Sequence, residues 1–237
     1  MKKVLIPIMM FFLISLIAAK AYGADAVTKT YGFKDFVSID VNSGMYLNVT
    51  QGNTYSIEIK ADEKDFKDLR VEKSGEKLKI YFNRSFLSFS FKRHNRVEIN
   101  IKMPSLKELD LSGGVHGKID MNNAAKSFSA DMSGGAYLEG NLICGNAHFD
   151  ISGGSKVNLK GKGNNLKLEG SGGSKFTLKD FSVNNVDADL SGGSHAAITM
   201  NGTLNTDQNG GSRIVYYGKM TLGHTDFSGG SGVSKGD

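Results

Sequence analysis

Apolar residues alternate with polar ones over short stretches along most of this chain, and this spacing predicts β-strands that each bury one face. In the C-terminal half, Ser-Gly-Gly or, once, Asn-Gly-Gly interrupts the alternation every 18 to 21 residues. These interruptions begin at Ser112, Ser133, Ser152, Ser171, Ser191, Asn209 and Ser228. A near-constant period of this length is typical of a solenoid, in which each repeat forms one coil stacked on the next. We therefore predict an all-β fold, a parallel β-solenoid with seven such coils in its C-terminal half.

Each coil divides into two strands when the repeats are aligned on the serine. Apolar residues precede it by one and three positions, as Ile151 and Phe149 do, and the alternation resumes five positions after it, as at Val157. The two glycines between the strands form a corner, because glycine adopts backbone angles that are closed to other residues. A second corner carries asparagine pairs at 164–165 and 184–185, whose stacked side chains are expected to form a hydrogen-bonded ladder.

The last coils differ at their inward positions. Thr206, Gln208 and Thr225 stand where earlier coils have apolar residues. We expect them to form a polar end that caps the core.

Polar positions beside the Gly-Gly corner are periodic as well. Two residues before each serine, or before Asn209, the chain has an acid: Asp110, Asp131, Asp150, Glu169, Asp189, Asp207 and Asp226. Four residues after it come mostly basic or aromatic residues: His116, Tyr137, Lys156, Lys175, His195, Arg213 and Gly232. An acidic stripe and a basic or aromatic stripe are therefore expected to flank the corner.

Three interpretations of the acidic stripe are open. In the first, which we favour, the acids accept hydrogen bonds from serine hydroxyls and corner amides, and the two stripes partly neutralise each other. In the second, the acids bind Ca²⁺ between coils, although the calcium-binding nonapeptide places its acid after the glycines. In the third, they line a catalytic or sugar-binding groove, which would need a few distinct groups in an irregular cluster. We predict no catalytic residue, metal site or cofactor.

The N-terminus predicts export. Residues 1–23 contain two early lysines, an apolar run over residues 4–19 and then small residues, as a secretory signal peptide does. The run is short for a transmembrane anchor and contains Pro7. Removal of the peptide lowers the formal net charge from +5 to +2, which gives no argument for a nucleic-acid partner. We expect a periplasmic, outer-surface or extracellular protein whose mature chain has no transmembrane segment.

Cys144 is the single cysteine, so no internal disulfide is possible. Its neighbours Leu142 and Ile143 are apolar, and no activating group is near it in the sequence. These features predict a buried, unreactive thiol.

Residues 24–104 show the same alternation without Ser-Gly-Gly, and we assign them to an N-terminal, β-rich part of the solenoid domain. Residues 105–237 form the repeat region. One N-terminal segment combines phenylalanines with basic residues, which suits binding of an anionic glycan or a protein. The alternative is a hairpin in which Phe89 and Phe91 point into the core. The candidate contact residues are Arg84, Phe86, Phe89, Phe91, Lys92, Arg93 and Arg96.

Three strand sequences and the repeats together resemble a known family. They are FVSIDV at 36–41, YLNVTQG at 46–52 and VEINIKMP at 97–104, followed by Leu-x-Leu-Ser-Gly-Gly. Over residues 33–230 the pattern is similar to the head GIN domain family of Bacteroidetes, whose members are called "putative auto-transporter adhesins". The resemblance implies a right-handed β-helical fold and a cell-envelope or extracellular setting. It implies no active-site residues, and the phenylalanine-rich segment departs from the family pattern.

We therefore expect an exported, non-enzymatic β-solenoid that acts in surface adhesion or envelope interaction and binds a cell-surface glycan or protein. Regular repeated surfaces suit extended binding. The alternative is a polysaccharide-cleaving lyase or hydrolase on the same fold. That function would require a cleft with two or three acids that break the regular pattern.

Overall fold

The structure, a computed structural model, describes residues 26–83, 96–122 and 126–237. These residues are almost entirely β-structure, and 19 strands join in one continuous sheet that winds into coils. The prediction of an all-β solenoid is therefore confirmed. In this part of the chain no helix has the length and apolar character needed to span a membrane.

Two sets of parallel strands form the walls of the repeat region, and each strand pairs with its equivalents in the coils on either side. Before the Gly-Gly corners lie β8 (Glu108–Ser112), β10 (Ser127–Ser133), β12 (Asn146–Ile151), β14 (Asn165–Gly170) and β16 (Asn185–Leu190). After them lie β9 (His116–Met121), β11 (Tyr137–Ile143), β13 (Lys156–Lys162) and β15 (Lys175–Val183). The last strands are β17 (His195–Gln208), β18 (Arg213–Phe227) and β19 (Gly232–Lys235). β17 and β18 continue through the second corner and contribute to both walls.

Inward side chains of the two walls form one core that runs along the stack. Equivalent residues lie above one another, and none of those in the following row is more than 4% exposed. The row consists of Leu109, Ala130, Phe149, Leu168 and Ala188. A single coil cannot cover such a row by itself, so the coils are stable only as a stack.

The Gly-Gly corner needs glycine for two reasons. At Gly192 the backbone has φ +66°, and an added Cβ would lie 2.9 Å from the carbonyl oxygen of Gly172 in the previous coil. A serine follows the two glycines in several coils and turns inward, as Ser155, Ser174 and Ser194 do. The hydroxyl of Ser174 lies 2.6 Å from the carbonyl oxygen of Ser171 and 2.7 Å from that of Ile151. This serine therefore closes the corner and joins it to the neighbouring coil.

Asparagine side chains form the predicted ladder at the second corner. The amide of Asn184 donates to Asn164 at 2.7 Å. Asn165 donates to Asn146 at 3.0 Å and accepts from Asn185 at 3.1 Å. The ladder joins successive coils on the side away from the glycines.

The N-terminal part adds coils in an order that differs from the chain order. Its parallel strands are β2 (Ser38–Asn42), β3 (Tyr46–Gln51), β6 (Lys77–Phe82) and β7 (Glu98–Met103). β2 lies between β6 and β8, and β3 lies between β7 and β9. The coil that comes first in the sequence is therefore inserted between two later ones. The sequence pattern does not predict this arrangement, because alternation identifies strands but not their neighbours.

Antiparallel strands and a short helical turn finish this end of the stack. β1 (Ala26–Tyr31) pairs with β4 (Ser56–Asp62), and β4 also pairs with β7. β5 (Leu69–Ser74) pairs with β6. A 3-10 turn, Glu63–Lys67, joins β4 to β5. Phe66 of this turn packs against the core, and Lys29 Nζ lies 4.3 Å from the centre of its ring.

Candidate binding surface

The acids before the corners form one row on the outside of the first wall. Each pairs in register with its equivalent in the next coil, and Asp40 of β2 adds one position that sequence analysis missed. Adjacent strands are about 4.8 Å apart, so neighbouring carboxylates repel one another unless cations offset them. The acidic row comprises Asp40, Asp110, Asp131, Asp150, Glu169, Asp189, Asp207 and Asp226.

Lys77 offsets the charge at the N-terminal end of the acidic row. Its Nζ lies 2.8 Å from Asp110 Oδ2 and 3.2 Å from Glu108 Oε2. The hydrogen bond with Asp110 is the main cause of the raised pKa of Lys77. Carboxylate oxygens of Glu108, Asp110 and Asp131 lie within 4.8 Å of one another, a grouping with the donor chemistry of a cation site. The Lys77 ammonium supplies positive charge to two of these three groups.

Glu169 is the second neutralised position of the acidic row. Lys167 Nζ lies 2.8 Å from one of its carboxylate oxygens, and His148 Nε2 lies 2.7 Å from the other. The hydrogen bond from Lys167, followed by that from His148, lowers the pKa of the Glu169 carboxyl. His148 is therefore a hydrogen-bond partner of Glu169 in the adjacent coil.

Asp131 lies between these two neutralised positions. Partial burial is the largest cause of the raised pKa of its carboxyl, and repulsion from Asp110 and Asp150 is the next. Positive charge on this face therefore does not offset every like-charge contact in the row.

The partners of the acids differ from those that we favoured from the sequence. Within the described ranges, the ion pairs of the acidic row are with lysines and histidines of the same face. The corner serines instead bond to backbone carbonyls, as Ser191 does to Gly170 at 3.3 Å. Extended strands hold the acids beside their equivalents in adjacent coils, so the nearest donors are side chains of those strands.

A second row lies beyond the corner, where each following strand begins. Its members pair in register from coil to coil. Tyr46 was not assigned to it from the sequence, because its coil has Asn42-Ser43-Gly44 in place of Ser-Gly-Gly. The same spacing applies there, with Asp40 two residues before Asn42 and Tyr46 four after it. The aromatic–basic row comprises Tyr46, His116, Tyr137, Lys156, Lys175, His195 and Arg213.

Three rings form the N-terminal half of the aromatic–basic row. Tyr46 and His116 stack with ring centres 5.7 Å apart, and Tyr137 follows with its ring centre 4.6 Å from that of His116. The guanidinium carbon of Arg96 lies 4.1 Å from the centre of the Tyr46 ring. A cation at this distance from an aromatic face is attracted to it. Arg96 therefore extends the row at its N-terminal end.

Arg96 is the one predicted contact residue of the phenylalanine-rich segment that the structure describes. The other six, at positions 84, 86, 89, 91, 92 and 93, lie outside the described residues. The prediction that they form a contact surface stays a prediction.

The other half of the aromatic–basic row carries positive charge. Lys156, Lys175, His195 and Arg213 are all exposed. In the parts of the chain that the structure describes, none of the four forms an ion pair. Lysine and arginine are charged at neutral pH, so this half of the row attracts anions. The two sides of each corner therefore differ in charge.

Cys144 is partly buried and packs against the core. Burial raises the pKa of its thiol to about 11. The thiolate is the reactive form, so this thiol is poorly suited to nucleophilic chemistry at neutral pH. The prediction of an unreactive cysteine agrees with this environment.

Several solved structures share this fold, among them the following three. A "putative adhesin" from Bacteroides fragilis is 18% identical, with 90% of this chain and 98% of that chain covered and a TM-score of 0.81. A "putative lipid binding protein" from Parabacteroides distasonis is 14% identical, with 91% and 98% covered and a TM-score of 0.69. A "putative adhesin" from Parabacteroides merdae is 16% identical, with 91% and 98% covered and a TM-score of 0.63. At these identities the likeness shows the fold alone.

No curated protein matches the chain. The sequence profile described as "Putative auto-transporter adhesin, head GIN domain" matches residues 35–219, which is more than half of the chain. The match includes the three strand sequences and the first six of the seven glycine repeats on which the resemblance was based. The chain therefore belongs to the head GIN domain family of "putative auto-transporter adhesins".

Proposed function

We propose that this protein is exported and acts as a non-enzymatic adhesin that holds an acidic glycan chain along the aromatic–basic row. The observation that carries the proposal is the row itself, in which a series of aromatic rings is continued by exposed cations that form no ion pair with any described residue. Membership of an adhesin family and the features of residues 1–23 support the adhesive role and export.

The chemistry of the row favours a polymer with both apolar faces and negative charges. Tyr46 and Tyr137 are at least partly exposed and add apolar ring surface beside the cations, against which the C–H groups of a sugar can pack. Lys156 and Lys175 lie in register in neighbouring coils, and Arg213 lies two coils beyond Lys175, with about 4.8 Å per coil, so each can meet one carboxylate or sulfate along a chain. An acidic polysaccharide combines these two features.

The acidic row restricts where a negatively charged polymer can bind. It lies on the other side of the Gly-Gly corners and repels the polymer that the aromatic–basic row attracts. The ligand is therefore expected to lie along the solenoid on one side of the corners.

Binding of the mature protein to an array of acidic and neutral glycans tests this proposal. We expect retention on uronate or sulfated chains that weakens as salt rises, because exposed charge pairs are screened. The double variant Lys156→Glu, Lys175→Glu should bind at least about tenfold more weakly, equivalent to a loss of about 1.4 kcal/mol. The variant Tyr137→Ala should weaken binding without changing its salt dependence.

Lys162→Glu is the matched control, because Lys162 is an exposed lysine at the other end of the same strand, β13. Its binding should equal that of the unchanged protein. Equal losses in Lys162→Glu and the double variant would contradict the role of the row. Binding only to neutral glycans or only to a surface protein would contradict the acidic-glycan ligand.

One observation favours the alternative of a polysaccharide-cleaving enzyme. Asp131, with its raised pKa, lies beside Asp110, whose charge is paired with Lys77. A carboxyl with a raised pKa beside an ionised carboxylate is the kind of pair that acts as general acid and base in glycoside hydrolysis. Release of reducing ends or unsaturated products from a bound glycan, abolished in Asp131→Asn, would establish this function. Binding without such products would support the adhesin.

A further inference from the structure

The C-terminal end of the solenoid leaves part of its core uncovered. Leu222 and Phe227 of β18 occupy inward positions, in register with Leu204 and Gln208 of the previous coil. They are nevertheless 51% and 43% exposed, because no coil formed by the described residues lies on them. They are two of the three large apolar side chains that are exposed among the described residues.

The predicted polar cap is not found at this end. Thr206 and Gln208 are 2% and 3% exposed and lie one coil below the surface. Thr225 is in the last coil but stands between Leu222 and Phe227. The prediction was wrong because it counted polar residues at inward positions without knowing which coil is last.

The last coil also has a free strand edge. β18 pairs with β17 along nearly its whole length, whereas β19 pairs only with residues 213–216 of β18. Residues 217–227 therefore have no second neighbouring strand within the described part of the chain. An edge with free backbone N–H and C=O groups beside apolar side chains is a template for pairing with another strand.

The N-terminal end of the solenoid is finished differently. Its outer strands, β1 and β5, have only six residues each and carry Lys29, Arg70, Glu72 and Lys73. Phe66 and the Lys29 side chain above it cover the core there. Short, charged edge strands oppose pairing with another chain. Among the described residues, the C-terminal end has both a long free edge and an exposed apolar core, and the N-terminal end does not.

We propose that two copies of the protein associate through their C-terminal ends. Residues 217–227 of the two copies pair edge to edge about a two-fold axis, and Leu222 and Phe227 of each copy become buried between them. The same surface is used twice, which is the commonest symmetry of protein dimers. The finished N-terminal ends point away from the contact, so association stops at two copies and does not continue as a filament. This inference does not depend on the proposed glycan binding.

The size of the coil end is sufficient for such a contact. Each wall of a coil has about six residues with a rise of about 3.3 Å per residue, and the two walls lie about 10 Å apart. With the side chains on both faces of each wall included, the end of one coil has a surface of about 500 Å² per copy. The two copies together would bury about 1,000 Å², which is at the lower limit of specific interfaces. Interfaces of this size are typical of weak, transient contacts, so we expect a reversible dimer.

Sedimentation velocity of the mature protein between about 1 and 100 µM tests the proposal over the range expected for a contact of this size. The unchanged protein should shift from monomer to dimer. Leu222→Lys and Phe227→Lys should remain monomeric throughout, because each places two charges in the contact. Thr30→Lys, on the exposed face of β1 at the opposite end, is the matched control and should dimerise normally.

Hydrogen exchange of the unchanged protein provides a measurement that needs no variant. Amides of residues 217–227 should exchange several-fold more slowly at the higher concentration, while those of β1 should not change. A monomer at every concentration would overturn the proposal, as would a dimer that Leu222→Lys and Phe227→Lys leave intact. Assemblies larger than two would overturn the two-fold arrangement.

Discussion

At the scale of single residues, the two glycines of a corner are not equivalent in the later coils. The first has a positive φ at Gly172 and Gly192, whereas the second, at Gly173 and Gly193, does not. The first glycine also approaches the previous corner closely at Gly192. Backbone conformation and close contact therefore act together at one position of the pair.

We expect Gly192→Ala to lower the free energy of unfolding by about 2 kcal/mol, because alanine is strained at positive φ and its Cβ meets Gly172. Gly173→Ala is the matched control, since no atom lies within 4 Å of the added Cβ and its φ is not positive. It should change stability by less than about 0.5 kcal/mol. Urea denaturation of both variants measures the difference. Equal losses would contradict this assignment of the two positions.

Two carboxyl groups of the acidic row, those of Asp131 and Glu169, are expected to have opposite effects on the stability of the fold. The raised pKa of Asp131 means that the folded protein binds more protons than the unfolded chain, so stability falls as pH rises from 3.8 through the folded pKa. The lowered pKa of Glu169 stabilises the fold above pH 4.5, and this contribution is lost as pH falls through the folded pKa. At pH 7, Asp131→Asn should therefore stabilise the protein and Glu169→Gln should destabilise it.

Both groups are accessible to solvent, so each change should be below about 1 kcal/mol. Thermal unfolding at pH 7 and at about pH 3 measures it, and the two effects should shrink at the lower pH as both carboxyls become protonated. The same sign for the two variants at pH 7 would contradict the charge arrangement described for the row.

At the scale of elements, the second corner is held by asparagines that act in series. Asn165→Ala removes both a donor to Asn146 and an acceptor for Asn185. Each hydrogen bond contributes about 0.5–1.5 kcal/mol, and the lower part of this range applies here because the three asparagines are exposed and water can replace a lost partner. We therefore expect Asn165→Ala to lower the free energy of unfolding by about 1–2 kcal/mol. Asn201→Ala, at an exposed position of β17 with no side-chain hydrogen bond among those described, is the control and should be nearly neutral. A loss no larger than that of the control would show that the ladder does not stabilise the coils.

The repeated strands and corners were predictable from the sequence. The position of β2 and β3 between later strands was not. Alternation and the glycine corners identify the walls, the inward rows and the register of the two stripes, because every coil obeys the same spacing. Asp40 and Tyr46 were missed although they obey it, since Asn42-Ser43-Gly44 does not look like the other corners. The stacking of Tyr46, His116 and Arg96 depends on the insertion of β2 and β3, which no local pattern encodes.

At the scale of the whole molecule, the two parts of the chain share one core and should unfold together. A truncated chain of residues 105–237 lacks β2 and β3, which cover β8 and β9. Exposure of that apolar edge should abolish cooperative unfolding and cause aggregation, whereas the mature chain should unfold in one transition. Circular dichroism and light scattering distinguish these outcomes. A monomeric, cooperatively folded 105–237 would show that the repeats are an independent domain.

The insertion of β2 and β3 between later strands has a consequence for the time at which the chain can fold. Ser38 has one strand neighbour at Lys77 and the other at Glu108, so the first coil to be synthesised waits for about 70 further residues before it is complete. Pairings this distant in the sequence form slowly. Once the chain has reached Met121, each following coil finds a finished edge and adds to it locally. A chain that emerges from the ribosome by its N-terminus therefore stays unpaired over its leading part and then folds progressively in the direction of synthesis.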